Sequence, residues 1–531
     1  MLKYLSDGFL FLGAACGLLG TALAFLRSMQ IFQLNGYKAR TQCKWLRKNP
    51  AKQWTQIAAA VLLALNVAIG AAAGKELVGA SVPYWALGAL AVFLLLLPLF
   101  NRPNRAAKKP LVYTPRVIRM LVTAGLAYTL PLILCALRGG FPAAFFAGTC
   151  LYILIQLFPL LANLINMPVE ALIRRGFVKD AQKKLLACPD LEIIGITGSY
   201  GKTSVKYYLT ELLAGSFNTL MTPESYNTPM GISKTVREEL RGSHEVFVCE
   251  MGARYKGDIQ ELCDFVRPKH GIITAIGEQH LETFKTPQVI LHEKLALARC
   301  VTNGFLFVNG DNAKLRENRP ANAVTYGLGE DNDCYAYDIA VTTRGTSFSV
   351  SLNGEKIEGL FTPLIGAHSV CNLVGAIAMA RALGVEESEI RARLKRLAPP
   401  PHRLAMSRSG GVAIIDDAYN SNPAGAKAAL DTLALFDGCK ILITPGMVEL
   451  GPAQYDANFS LGRQAAAVCD YVFAVGERQA PPIIAGLDAE EYPKDRRFVS
   501  SSFKEALEMA YALPCAGEKI ILLENDLPDN Y

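Results

Sequence analysis

The chain has 531 residues, enough for three or four domains, and its net charge of +7 conceals two unlike parts. Residues 1–186 hold 21 Lys/Arg against 4 Asp/Glu, and the remainder 33 against 43. Basic residues between apolar runs point to membrane orientation and away from nucleic acid, and 13 cysteines without a CxxC pair or a His cluster argue against a zinc centre or a disulfide framework, so reduced thiols are expected.

Five apolar runs, near residues 8–26, 54–74, 83–100, 117–137 and 141–165, are long enough or nearly so to cross about 30 Å of hydrocarbon. No small-residue cleavage site follows the first, which reads as an anchor and not a removed signal. Arg27, Lys38, Arg40, Lys44, Arg47, Lys48 and Lys52 crowd one loop, and Arg102, Arg105, Lys108, Lys109 and Arg116 another, while the loops at Lys75 and Arg138 are short. The positive-inside rule then predicts a transmembrane region over 1–168 with its N-terminus outside. The expected localisation is the bacterial plasma membrane, multi-pass, with the catalytic domains in the cytoplasm. No Asp, Glu, Lys or His sits in the middle of these runs, which argues against an ion pathway. An anchor and a lipid-binding platform remain as readings. Residues 169–189, with Arg174, Arg175, Lys179, Lys183 and Lys184, form a juxtamembrane linker, either facing an anionic leaflet or solvated.

From residue 190 short β-branched runs alternate with helical stretches: "LEIIGIT", "EVFVCEM", "HGIITAI" and "GFLFVNG" read as buried strands of a parallel sheet covered on both faces. Period-two alternation over 333–362, with Asn353 and Gly354 between two runs, predicts a hairpin. The proline run 399–401 marks a hinge, after which "VAIIDD", "CKILITP", "YVFAVG" and "EKIILLEN" restart the βα rhythm. The expected fold class is a membrane α-helical N-terminal region followed by a P-loop α/β central domain over 190–400 and a Rossmann-like α/β domain over 401–531.

The first of these strands runs into Gly198, Ser199, Tyr200, Gly201, Lys202, Thr203 and Ser204 and then a helix. Backbone N–H groups and a helix N-terminus meet anionic phosphates there, Lys202 adds a cation, and the Thr203 hydroxyl reaches Mg²⁺. The strict GxxxxGK[ST] pattern is not met, because residue 196 is Ile. The bland alternative is a structural glycine turn.

The looser TGxxGKT pattern resembles that of the Mur ligases, and further motifs follow in order. Asn227, Pro229 and Gly231 are similar to the family's Asn, Pro and Gly; Glu250, Gly252 and Ala253 to its E-x-G-A; His280, Leu281, Glu282 and Phe284 to its HLE-x-F. Asp416, Asp417, Ala418, Tyr419, Asn420, Asn422 and Pro423 carry its DDAYNxNP. The set is closest to the branch that adds D-Ala-D-Ala to a muramyl tripeptide. This resemblance implies an ATP- and Mg²⁺-dependent amide ligase of peptidoglycan biosynthesis acting through an acyl phosphate. It implies metal ligation by Thr203, Glu250, His280 and a carbamylated Lys294, with Lys202, Lys294, His280 and Arg403 as catalytic groups. His368 and Asn372 would lie near adenine, with Ser369 where Asn is usual. Arg403 would reach the γ-phosphate, Asp417 would lie near the ribose, and Asn420 and Asn422 would line the same pocket. Taken singly, Glu250 reads as a solvated strand-end charge, His280 as a loop histidine, Lys294 as an exposed helix lysine, and "DDAYNSNP" as a turn with a helix cap.

Two departures bear on the substrates. Apolar runs stand where the soluble ligases grip UDP, so a lipid-linked carboxylate acceptor is expected beside the UDP-linked one. The family's KGS segment is missing, its strand running instead into "ILLENDLPDNY", and Pro445 and Gly446 precede Glu449 and Gly451 where Gly-Asp is usual. The amine donor, an amino acid or dipeptide, is therefore left open. Glu524 and Asp526 read either as contacts for an ammonium or as solvated charges. Rival readings are a poly-γ-glutamate-synthase-like ligase, a P-loop ATPase coupled to the membrane helices, and a catalytically silent scaffold.

Overall fold

The computed structural model describes residues 2–72, 96, 110–277, 281–419, 421–448, 450–476, 480–515 and 517–526. Two compact units result, residues 1–174 and residues 175–526. The expected run 83–100 lies outside the described residues but for Leu96.

The first unit is helical. Runs 8–26 and 54–74 fall in helices Leu2–Leu34 and Trp54–Ala72. Its core holds Phe25, Tyr128 and Phe158, packed edge to face with ring centroids 5.4–5.7 Å apart. Arg119 donates from Nε to Glu170 at 2.9 Å. Helix Pro115–Ile153 is interrupted at Gly140, whose φ of +69° no helix contains. The 3₁₀ turn Ile155–Leu157 then divides the expected run 141–165. Among the described residues two helical stretches, Pro115–Gly140 and Ile155–Leu186, are long and apolar enough to cross a membrane. In the expected run 141–165 apolarity continues where the helix does not.

The second unit carries two sheets. The first is built from β1 (Glu192–Thr197), β2 (Thr219–Met221), β3 (Val246–Glu250), β4 (His270–Ile273), β5 (Leu306–Asn309), β6 (Val324–Gly327), β7 (Cys334–Thr342), β8 (Gly345–Leu352) and β9 (Glu355–Thr362), in the spatial order β2-β3-β1-β4-β5-β6-β7-β8-β9. Pairing is parallel through β7 and antiparallel from β7 to β9. Asn353 and Gly354, at φ +49° and +93°, make the β8–β9 hairpin. Alternation along the strands feeds two cores. Ile194, Ile196, Val246 and Val248 pack with helices Lys202–Leu213 and Ala367–Ala382, while Ile193, Phe247 and Cys249 pack with helices Pro229–Glu238 and Asp258–Val266.

The second sheet comprises β10 (Ala405–Ser409), β11 (Val412–Asp417), β12 (Cys439–Thr444), β13 (Tyr471–Val475), β14 (Arg497–Ser500) and β15 (Lys519–Glu524), ordered β10-β11-β15-β12-β13-β14. All pairs are parallel except β10 with β11. Cys439 and Cys515 are joined in a disulfide, with Cα atoms 6.0 Å apart at a sequence separation of 76 positions. The expectation of reduced thiols is corrected for this pair.

Candidate active site

In the first sheet the chain leaves β1 toward β2 on one side and crosses from β3 to β4 on the other, which opens a crevice at the carboxyl ends of β1, β3 and β4. The glycine loop stands there. Helix Lys202–Leu213 starts on Gly201, at φ +82°, and a Cβ there would fall 2.6 Å from Asn372 Oδ1. At Gly198, φ +149°, a Cβ would overlap the Thr274 hydroxyl. Glycine alone lets the loop turn its N–H groups to an anion in this space. Ser199 N–H donates to Ala275 O at 2.7 Å, its Oγ donates to Gly277 O at 3.2 Å, and the Thr274 hydroxyl donates to Tyr200 O. Gly198→Ala is expected to weaken ATP binding tenfold or more, about 1.4 kcal/mol, in a calorimetric titration. Affinity within twofold of the parent would remove the loop from the nucleotide site.

Glu250 closes β3 and is 1% exposed. Its Oε2 accepts from Thr203 Oγ1 at 3.0 Å, its Oε1 accepts from Asn227 Nδ2 at 3.0 Å, and Lys206 Nζ lies 3.2 Å from Oε2. Lys206 is fully buried and also donates to Glu224 O. Burial pushes the Glu250 carboxyl up, but Lys206, Lys202 and the Asn227 amide outweigh it and hold the group below its ordinary value. The buried carboxylate is therefore ionised, not a solvated strand-end charge.

Lys202 bends back over its own loop, donating to Gly198 O at 2.8 Å and Ser199 O at 3.0 Å. Burial, opposed by Glu250 and reinforced by Arg403, brings its pKa to about 8. Lys294 ends helix Pro287–Lys294 and is 3% exposed, which overturns its reading as a surface lysine. Burial, with Lys202 acting the same way and Glu293, Asp258 and Glu250 opposing, lowers it to about 7. Beside it the buried Glu293 accepts N–H bonds from Gly257 and Ile259, both at 2.7 Å, and so fastens the loop that follows β3.

An ionised buried carboxylate 3.0 Å from a hydroxyl, next to a glycine-lined anion cradle, is a hard-oxygen set that suits a nucleotide with Mg²⁺. His280 and Asn420 lie outside the described residues, as does Glu449. Among the described residues no three His, Cys, Asp or Glu side chains gather as a metal cluster.

His368 and Asn372 stand one turn apart on helix Ala367–Ala382, with Asn372 against Gly201. Burial lowers His368 to about 4, so it is a neutral ring, with Nε2 3.2 Å from Ser369 Oγ. The Tyr208 phenol, raised to about 12 by burial, is bonded to Ser369 and Ser204. From the second sheet, Arg403 stacks its guanidinium over Tyr419 at 4.2 Å and acts electrostatically on Lys202. Asp417 Oδ1 accepts from Leu404 N–H at 3.3 Å. Asn422 Oδ1 accepts from Gly425 N–H at 3.0 Å and caps helix Pro423–Ala434, as the bland reading has it. Glu524 is fully buried, which overturns its reading as a solvated charge, while Asp526 is exposed.

Sequence reasoning singled out neither Lys206 nor Glu293. Lys206 had a signal, a second lysine one helical turn beyond Lys202 on the buried face; Glu293 had none beyond its adjacency to Lys294.

The model of the Mur ligase middle domain matches residues 196–380, and that of the Mur ligase glutamate ligase domain matches residues 402–523. The UDP-N-acetylmuramoyl-tripeptide–D-alanyl-D-alanine ligase of Bacillus subtilis is 30% identical over 339 residues, 62% of this chain and 72% of that protein. A crystal structure of MurF from Acinetobacter baumannii superimposes with a TM-score of 0.59 at 26% identity, over 66% of this chain and 77% of that one. MurF from Thermotoga maritima, in complex with ADP, shares the fold at a TM-score of 0.59 and 24% identity, over 66% and 80% of the two chains. The expected multi-pass plasma-membrane localisation does not survive: the relatives are named for a UDP-linked acceptor, and among the described residues two helices are long and apolar enough to cross a membrane. The chain belongs to the Mur ligase family, as an ATP-dependent, MurF-like ligase that forms C–N bonds in peptidoglycan synthesis.

Proposed function

We propose that this ligase works in the crevice of residues 190–400, with residues 401–531 as the partner domain across the 399–401 hinge. Glu250 carries the reading: a buried, ionised carboxylate tied to Thr203 at the mouth of a glycine loop. Gly198, Ser199, Gly201, Lys202, Thr203 and Ser204 hold the phosphates. Thr203, Glu250, His280 and Lys294 hold Mg²⁺, which when bound offsets the repulsion between phosphates and carboxylate. His368 and Asn372 face the base, and Arg403, Asp417, Asn420 and Asn422 close on the nucleotide. The acceptor carboxylate takes the γ-phosphoryl group as its bond to ADP breaks and ADP leaves, the amine forms its bond to the acyl carbon and gives up a proton, and phosphate leaves with the electron pair of the broken C–O bond.

Lys294 serves as a carbamate. A buried lysine brought to about 7 presents a neutral amine near physiological pH, and only that form adds to CO₂, forming an N–C bond and releasing a proton. The carbamate oxygens then ligate where an ammonium would repel. Carbamylation is expected to rise between pH 6 and 8, read as a ¹³C carbamate signal after supplying labelled bicarbonate, and to vanish in Lys294→Ala.

The acceptor is lipid-linked. Ile118, Val122, Leu126, Leu130, Ile133 and Leu137 are each more than half exposed and recur every third or fourth residue along helix Pro115–Ile153, a surface suited to aliphatic chains. The second reading is the UDP-linked muramyl tripeptide with D-Ala-D-Ala, favoured by what the relatives are named for. A competition assay decides: UDP-linked and lipid-linked muramyl peptides, each with D-Ala-D-Ala or single amino acids, products weighed by mass spectrometry. Equal turnover on both acceptors sinks the lipid-linked reading.

A further inference from the structure

β11 and β15 are adjacent parallel strands whose register sets Asp417 directly beside Glu524. Cross-strand partners share a face, so two carboxyl groups meet at the carboxyl ends of these strands. Glu524 is sealed from solvent. Its Oε1 accepts from Ser421 Oγ at 2.5 Å, and among the described residues no donor reaches Oε2. Asn525, in the left-handed region at φ +71° and itself buried, donates from Nδ2 to Gly446 O at 2.6 Å and fixes the strand end. Asp417, by contrast, is partly exposed.

Among the described residues no ion pair is made to Glu524. Asp416 is engaged by His402, with Nδ1 2.8 Å from its Oδ2, and on the packed helix Lys427 is paired with Asp431 at 2.7 Å. Arg403 acts on both Asp417 and Glu524, and Tyr208 faces Asp417 from the first sheet's helix. Two apposed carboxyl groups, on both of which Arg403 acts, resist ionising together, and the bare Oε2 beside a carboxylate favours a proton. Burial pushes Asp417 up to about 6 and Glu524, with Asp417 next to it, well above the ordinary carboxylate range.

We propose that Asp417 and Glu524 share one proton. Sealed Glu524 is the neutral acid, donates its O–H to Asp417, and is the positioning residue that keeps the exposed partner charged for nucleotide binding. The role rests on the reading that Asp417 lines the nucleotide site. Glu524 ends the strand that runs into "ILLENDLPDNY", where the family's KGS segment is missing.

The test combines infrared spectroscopy with calorimetric titration of a non-hydrolysable ATP analogue and Mg²⁺ between pH 5.5 and 8.5. A protonated-carboxyl band is expected at pH 8 in the parent and absent in Glu524→Gln. Glu524→Leu removes the donor, so Asp417 should titrate about one unit higher, weakening nucleotide binding about fivefold near pH 6 and little at pH 8.5. Glu524→Gln, whose amide N–H replaces the donor, should restore the parent's pH midpoint. Absence of the band, or a Glu524→Leu loss equal at every pH, overturns the shared proton. If Glu524→Leu does not fold, the band and the Glu524→Gln midpoint still decide. Parent-like nucleotide affinity in Asp417→Asn at pH 8 overturns instead the placement of Asp417 in the nucleotide site, whatever the band shows.

Discussion

Lys206→Met is expected to lower the free energy of unfolding by about 3–5 kcal/mol and to abolish ligation. Lys206 and Glu250 are both sealed, 3.2 Å apart, and Lys206 also ties the loop at Glu224. Removing the ammonium leaves a buried carboxylate with the Thr203 hydroxyl and the Asn227 amide as donors and without its ion-pair partner, the charge of Lys202 opposing it only in part. Denaturant titration reads the loss directly. Pairing the change with Glu250→Gln removes the stranded charge, so the double variant should regain most of the stability and none of the activity. A single variant as stable as the parent would mean that the pair is solvated and Glu250 is not held.

The second large effect is on Lys294. Lys294→Ala should cut the rate of amide formation by about 10²–10³-fold while leaving nucleotide affinity within a few fold, because the glycine loop is built from other residues. Lys294→Arg should fare no better, since a guanidinium stays charged and cannot add CO₂. Unchanged turnover in Lys294→Ala would exclude the lysine from the chemistry and favour a scaffold. A fall in nucleotide affinity as large as the fall in rate would show that the substitution had damaged the loop instead.

Local signals carried far into this fold. β1, β3, β4 and β5 were legible because buried parallel strands are short β-branched runs, and the β8–β9 hairpin because Asn353 and Gly354 tolerate positive φ. Strands β2, β6, β10 and β14 were not, because Thr, Ser or Arg interrupts or bounds their few apolar residues. In the site, Glu250 and Lys294 were legible by their order among motifs. Their burial was not, because it depends on helices far apart in sequence closing over them. The juxtaposition of Asp417 with Glu524, 107 positions apart, is set by strand register, and the Cys439–Cys515 bond by β12 meeting the segment after helix Phe503–Ala512. The run 141–165 misled because hydropathy does not register a break such as Gly140 or the turn at Ile155.

The measurement closest to the central claim is the stoichiometry of a single coupled reaction. The full chain would be given ATP, Mg²⁺, bicarbonate, a muramyl tripeptide in UDP- and lipid-linked forms, and D-Ala-D-Ala or another amine, with ADP, phosphate and product mass followed together. A ligase with this site yields one ADP and one phosphate for each amide bond, a product lighter than its two precursors by one water, and no product without the amine. ATP hydrolysis at the same rate with and without acceptor and amine, and no amide from any pair, would contradict it.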